Sequence, residues 1–232
     1  QVRRIIPLPR NRWRLFSEGQ TAFSMDVDAV IVATPASHAA QILSSAIPTI
    51  SDELHQMGVS SSAVLAIAYR TDQIHRTLDG FGFVVPLVER RQILSCSFSS
   101  IKYEGRAPAG YELFRIFMGG ECQSEVLALS DEELLEIARR ELSDLLQIRG
   151  DPCFTQVIRH SHVMPQYHVG HSDRVARIEK LLSAFPTVKL IGSSLRGGGI
   201  PGCVASGEFA ALGIISQIAR IQNQILHAVA KP

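Results

Sequence analysis

Near its C-terminal end the chain runs Leu190-Ile191-Gly192-Ser193-Ser194-Leu195-Arg196-Gly197-Gly198-Gly199-Ile200-Pro201-Gly202-Cys203, then continues through small residues to Ala211. A buried strand, a glycine loop and a small-residue helix, in that order, make a place where backbone can come close to something flat or charged. Glycines remove the Cβ atoms that would stand in the way. A helix start adds unpaired N–H groups and a partial positive charge. The same order also arises wherever a tight turn alone calls for glycine, so a cofactor site and a plain turn both stay open.

The strand before the loop has a counterpart far upstream. Asp28–Thr34 is a continuous apolar run, the pattern of a parallel strand covered on both faces, and Val188–Gly192 reads the same way. Short strands are predicted at 2–8, 12–16 and 20–25, with helices over Ser37–Ser45 and 51–57. The texture then changes. Ser62–Tyr69, Gly82–Val85, Ile93–Phe98 and Tyr111–Met118 are rich in aliphatic and aromatic residues and separated by turns, which predicts an antiparallel sheet. Ser130-Asp131-Glu132-Glu133 is a capping box opening a helix to about Gln147. A strand follows from Phe154 to Arg159, Ser172 or Asp173 caps another helix, and a last helix runs from Cys203 to His227. The fold class is therefore α/β combined with α+β. Two α/β pieces at 1–51 and 187–232 bracket an antiparallel-sheet domain at 52–186.

Composition narrows the function classes. With 46% hydrophobic and 19% charged residues, the chain has the makings of a soluble globular core. A net charge of +1, with no basic run interleaved with aromatics, speaks against nucleic acid as a partner. No apolar stretch reads as long enough for a membrane span, Val27–Thr34 being far too short. Cys96, Cys122, Cys153 and Cys203 are scattered without a C-x-x-C pair and read as buried free thiols of a reducing compartment. The chain opens at Gln1 in mid-pattern and without a signal peptide, which suggests a piece of a longer protein.

The chemistry-bearing residues divide into weaker and stronger cases. There is no G-x-S-x-G elbow and no G-K-[ST] phosphate loop. His160, His162, His168 and His171 have spacings that can ligate a metal. No acid or cysteine within the cluster completes a site, so a strand and turn with surface histidines is the plainer account, and no metal is expected. Lys102, Arg106, Arg115 and Glu121 could meet an anionic ligand or form a solvated rim. Phe81, Phe83, Phe98, Phe114 and Phe117 suit a core, although strand alternation would turn some of them toward a shared cavity. No acid–base dyad is visible, and no catalytic residue is assigned.

Several spaced motifs add specificity. Gly80-Phe81-Gly82-Phe83-Val84-Val85-Pro86, Ser97-Phe98-Ser99-Ser100, Arg106-Ala107-Pro108 and Phe117-Met118-Gly119-Gly120 occur in that order. Met164-Pro165-Gln166-Tyr167 with Gly170-His171, and then Gly199-Ile200-Pro201 to Cys203, complete the series. From Val2 to about Ile215 the chain resembles the protoporphyrinogen oxidase family, particularly bacterial forms that also take coproporphyrinogen III. The resemblance implies an FAD-dependent oxidoreductase of the amine-oxidase-like flavoprotein superfamily. Its reaction would take a porphyrinogen to its porphyrin in haem biosynthesis, with oxygen as acceptor. It also implies a cytoplasmic protein whose full-length form lies peripheral to the membrane.

Carried over residue by residue, Val2 matches a position at the adenine end of FAD. Ser193, Gly198, Gly199 and Ile200 match the loop against the isoalloxazine and ribityl chain. Val84, Ser97 and Phe117 match an apolar clamp on the tetrapyrrole, with Phe81 beside them. Three positions depart from the family: Gly202 stands for a common Asp, Leu195 for a frequent Tyr, and His160 for a usual Trp. The family's N-terminal G-x-G-x-x-G, which holds the FAD pyrophosphate, is absent from this chain. The resemblance thus implies that the outer pieces, 1–51 and 187–232, are an incomplete, Rossmann-like FAD-binding domain and the inner one a substrate-binding domain, completed by a missing N-terminal half. By itself the chain should be inactive, hold FAD weakly, and expose a sheet edge and apolar surface. Two other readings remain: another member of the superfamily, such as an amine oxidase or carotenoid desaturase, and a non-catalytic remnant that binds a tetrapyrrole. The F-x-G-G and M-P-Q-Y motifs argue against another superfamily member.

Overall fold

In the computed structural model, residues 1–196 and 198–229 are described, with side chains up to Asn223. The chain begins with β1 (Val2–Leu8), β2 (Arg12–Ser17), β3 (Ser24–Val27) and β4 (Val30–Val32), then α1 (Ala36–Leu43) and α2 (Pro48–His55). Next come β5 (Gly58–Arg70), β6 (Gly82–Val84), β7 (Ser95–Phe98), α3 (Ser99–Lys102), β8 (Tyr111–Gly119) and α4 (Asp131–Leu146). β9 (Phe154–Gln166), α5 (His171–Leu182), β10 (Val188–Leu190) and α6 (Ile200–Val229) complete it. Two compact units result, Gln1–Gly58 with Pro165–Pro232, and Val59–Met164. The sequence suggests a somewhat longer inner segment, 52–186. The difference arises because α2 and α5 pack with the outer unit, where Glu53 pairs with Arg174 at 3.1 Å and Arg177 at 2.8 Å.

In the outer unit β1, β2 and β3 form an antiparallel meander, and β4 and β10 a parallel pair with Val30 opposite Val188. The third meander strand starts later than the predicted 20–25. Ser17 turns the chain there by accepting the Phe23 N–H at its hydroxyl, 2.9 Å, while its own N–H reaches the Phe23 carbonyl at 3.0 Å. Ile5, Trp13, Leu43, Ile50, Ile178 and Val188 form the core, each large aliphatic among them contributing roughly 1.5–3 kcal/mol on full burial. The Trp13 indole donates to the Thr187 hydroxyl at 2.9 Å, which donates in turn to the Asn11 carbonyl at 2.7 Å. That chain of bonds ties the meander to the start of β10.

The inner unit is a five-stranded sheet in the order β6-β7-β8-β5-β9, with α4 on one face. Alternation puts Leu65, Ile67, Phe98, Phe114 and Ile116 against Leu134, Ala138 and Leu142 of α4. Phe98 meets Phe114 edge-on at 5.6 Å and Phe83 at 6.1 Å. These three aromatics are therefore core. The capping box of α4 closes in both directions, Glu133 N–H to the Ser130 hydroxyl at 3.2 Å and Ser130 N–H to the Glu133 carboxylate at 2.7 Å.

Four expectations need correction. β9 continues through Gln166 rather than stopping near Arg159, because it pairs along β5, itself a 13-residue strand. α5 starts at His171, after Gly170 at φ +88°, so neither Ser172 nor Asp173 is its cap. The thiols are not uniformly buried: Cys96 is, Cys203 is half-buried, and Cys122 and Cys153 are exposed. Finally, Ile200–Asn223 of α6 is long and apolar enough to cross a membrane by length and composition, with mean hydropathy 1.3. Scattered Gly, Ser and Glu208 break that run to the eye while leaving it apolar on average. Within the unit α6 leaves Phe209, Leu212 and Ile215 exposed.

Candidate functional site

β10 hands the chain to the glycine loop through one last ladder bond, Ile191 N–H to the Val32 carbonyl at 3.0 Å. Gly192 then takes φ +105°, a value that side chains on Cβ disfavour, and the backbone turns back on itself. A second left-handed glycine, Gly199 at φ +97°, precedes Ile200 and the first helical bond of α6, Cys203 N–H to the Gly199 carbonyl at 3.1 Å. Pro201 fits the first turn, where a missing N–H costs nothing, so α6 begins earlier than the predicted Cys203. Gly202 therefore lies inside that turn and is not its cap. An aspartate there would have put a carboxylate among the first-turn N–H groups.

The loop is tied down on its N-terminal side. The Tyr167 hydroxyl donates to the Ser193 carbonyl, and His171 Nε2 lies 2.9 Å from the Leu195 carbonyl, so that nitrogen carries the proton. The two rings stack, with centroids 4.2 Å apart. The buried Ser194 hydroxyl accepts the Ala36 N–H at the start of α1, 3.3 Å away. Arg196 makes a two-pronged pair with Glu179 of α5 at 2.8 and 2.7 Å, which holds the Glu179 carboxyl below its ordinary value. Partial burial, reinforced by the neighbouring Cys203, raises the Tyr167 phenol above its usual value and keeps it a neutral donor. These anchors belong to the M-P-Q-Y…G-H motif and to α5. The sequence marks the motif without showing what it grips, because a backbone carbonyl carries no sequence label.

Three glycines of the loop border open space. A Cβ built on Gly192, Gly198 or Gly199 meets nothing within 4 Å, and Ile200 is 81% exposed. Bare backbone beside open space, followed by a helix start, is a cradle that an added methyl would begin to fill. A flat ring fits such a surface. Of the residues matched to a cofactor, Ser193, Gly198, Gly199 and Ile200 are thus gathered on one loop. Val2 is separate from them, half-buried at the start of β1 opposite Ser17.

In the inner unit the strand register sorts the remaining candidates. Gly82 pairs with Ser97 and Val84 with Ser95; Ser97 pairs with Arg115 and Ser95 with Phe117; Arg115 and Phe117 pair with Ala66 and Val64. Val84, Ser97 and Phe117 therefore share one sheet face, opposite the α4 core. Phe81 precedes β6 and is 65% exposed, and Gly82 at φ +137° interrupts the alternation that would have assigned its face. Gly82 is required by contact as well, since a Cβ there would stand 2.2 Å from the Cys96 carbonyl oxygen. Lys102 and Arg106 lie over the Tyr103 ring at 5.4 and 5.7 Å, a rim arrangement, whereas Arg115 rises from mid-sheet.

The family described as flavin containing amine oxidoreductase matches the chain over residues 1–215. Coproporphyrinogen III oxidase of Bacillus subtilis is 35% identical over 188 residues, 81% of this chain and 40% of its own length. The enzyme of that name from Staphylococcus aureus is 33% identical over 168 residues, 72% of this chain and 36% of its own length. The chain thus spans less than half the length of these curated relatives. A solved structure from Exiguobacterium sp. 255-15 superposes with a TM-score of 0.71 at 23% identity, over 96% of this chain and 46% of that one. Cyclohexylamine oxidase from Brevibacterium oxydans follows at 0.67 and 16%, over 94% and 48%. Both structural likenesses are likenesses of fold.

Proposed function

Because the chain belongs to the flavin-containing amine oxidoreductase family, we propose that it serves an FAD-dependent oxidase converting a porphyrinogen, coproporphyrinogen III or protoporphyrinogen IX, to its porphyrin. The observation that carries this reading is the 35% identity, over 81% of the chain, to a protein named coproporphyrinogen III oxidase. When bound, the flavin supplies a two-electron acceptor that oxygen regenerates.

The chain's own residues have modest tasks. Tyr167, His171, Ser194 and Glu179 hold the loop so that Ser193, Gly198 and Gly199 offer backbone to the ring without rearranging. The first turn of α6 adds positive potential worth roughly 0.3–1 kcal/mol toward an anionic edge at an exposed site. Val84 and Phe117 give a large, mostly apolar substrate a surface from which water is displaced. A porphyrinogen is readily oxidised, so orientation matters more than acid–base help. We assign Val2 to the adenine end and the pyrophosphate cradle to the part of the relatives that this chain does not span. The cytoplasmic, membrane-peripheral location implied by the resemblance belongs to the same proposal, and fractionation of the full-length protein tests it.

Full-length, flavin-loaded protein should consume oxygen and release fluorescent porphyrin when given coproporphyrinogen III, and should leave a panel of primary amines untouched. Amine oxidation without porphyrin formation would move the reading to another branch of the family.

A further inference from the structure

Arg115 stands at the centre of β8, on the sheet face that also carries Val84, Ser97 and Phe117. Its cross-strand neighbours are Ser97 on one side and Ala66 on the other, with Gly82 one strand beyond. All three are small, so the exposed guanidinium is the dominant polar group on a shallow floor. Many arginines elsewhere in the chain are matched by acids, among them Arg14 by Asp26, Arg91 by Glu141, Arg159 by Asp131 and Arg174 by Glu53, whereas Arg4 and Arg106, like Arg115, lie over an aromatic ring. Among the described residues Arg115 meets no carboxylate, and its guanidinium carbon lies 5.4 Å from the centre of the Phe117 ring. A guanidinium laid on an aromatic face keeps its in-plane N–H groups available, and that fork matches a carboxylate.

Resting on the porphyrinogen reading, we propose that Arg115 is the carboxylate anchor of the substrate face, pairing with a propionate of the tetrapyrrole and so fixing where the macrocycle lies over the sheet. Coproporphyrinogen III carries a propionate on every pyrrole ring, so it offers the partner that this arginine lacks. The apolar body of the macrocycle covers Ser97, Ala66 and Gly82, and Phe117 holds the guanidinium in register. No bond is made or broken at Arg115; its contribution is to affinity and placement.

The test uses full-length, flavin-loaded protein and two fluorescent probes, coproporphyrin III and its tetramethyl ester, which keeps the ring and removes the charges. Arg115→Gln should weaken binding of the free acid about 10- to 100-fold, the loss expected of one charge-assisted hydrogen-bonded pair. Binding of the ester should be equal in wild type and variant, and flavin content and melting temperature should not change. In turnover KM should rise and kcat/KM should fall. Equal binding of the free acid by wild type and variant would overturn the anchor, as would an equal loss with both probes. If Arg115→Gln fails to retain flavin, Arg115→Met, which keeps the stem and removes the charge, decides: a loss for the acid alone supports the anchor, and wild-type binding of both probes overturns it. Failure of the wild-type protein to bind either probe would overturn the porphyrinogen reading itself, and the anchor with it.

Discussion

Tyr167 and His171 stack face to face, 4.2 Å between centroids and 17° from parallel, and each holds a different carbonyl of the glycine loop. The left-handed Gly170 between them lets β9 end and α5 begin within a few residues, so both rings reach the loop from one corner. Loop shape is thereby set from outside the loop, by a motif that runs into the first residue of α5. A cradle held in this way needs little reordering when a ring settles on it, which is the general advantage of preorganisation.

Tyr167→Phe keeps the stack and deletes the bond to Ser193, so full-length protein should lose about 0.5–1.5 kcal/mol of flavin affinity. Tyr167→Ala removes both interactions and should lose more. Flavin release followed by fluorescence on dilution measures both; equal release from Tyr167→Phe and wild type would show that the bond does not matter to the loop.

Two neighbouring glycines should behave differently. Gly199 sits at φ +97°, where a side chain costs roughly 1–2 kcal/mol, so Gly199→Ala should lower the melting temperature. Gly198 lies outside that region and has open space around it. Gly198→Ala should therefore leave stability nearly unchanged while weakening flavin retention, because its methyl points at the surface assigned to the ring. Melting curves and bound-flavin ratios for the pair separate backbone strain from occupancy.

At Gly82 the obstacle is both steric and conformational. Gly82→Ala would force a Cβ to within 2.2 Å of the Cys96 carbonyl, at φ +137°. Strain and overpacking together should destabilise the inner unit by roughly 2–5 kcal/mol. Limited proteolysis of β6 and β7 should show early cleavage in this variant.

Acid should loosen the outer unit first at its arginine-paired carboxylates. Hydrogen bonds from Arg177 to Glu53 and from Arg196 to Glu179 hold both carboxyls below their ordinary value of 4.5. A depressed folded-state pKa means stability that is fully present above the unfolded value and lost as pH falls through the folded one. Melting temperature should therefore be flat above that value and decline below it, and Glu53→Gln should reduce the slope. An unchanged slope would assign the acid sensitivity to other carboxylates.

Much of this architecture is legible in the residues. The capping box at Ser130, the buried runs now seen as β4 and β10, and the strand–loop–helix at the end all follow from local chemistry. Register does not. Whether Phe114 or Phe117 faces α4 depends on how β8 pairs with β7 and β5, and one residue of slip would exchange them. The length of β9 escaped for a similar reason, since its second half is drawn into the sheet by β5 rather than by its own histidine-rich composition. Arg115 was one of four charged candidates in the sequence, and the strand register alone separates it from the rim.

The most direct test is anaerobic mixing of full-length, flavin-loaded protein with coproporphyrinogen III, followed by visible absorbance. The account predicts that the flavin band bleaches on mixing, and that admitting oxygen restores it while the porphyrin bands grow, because each flavin takes two of the six electrons that separate a porphyrinogen from its porphyrin. A flavin band that stays unchanged in the presence of the porphyrinogen would contradict the account.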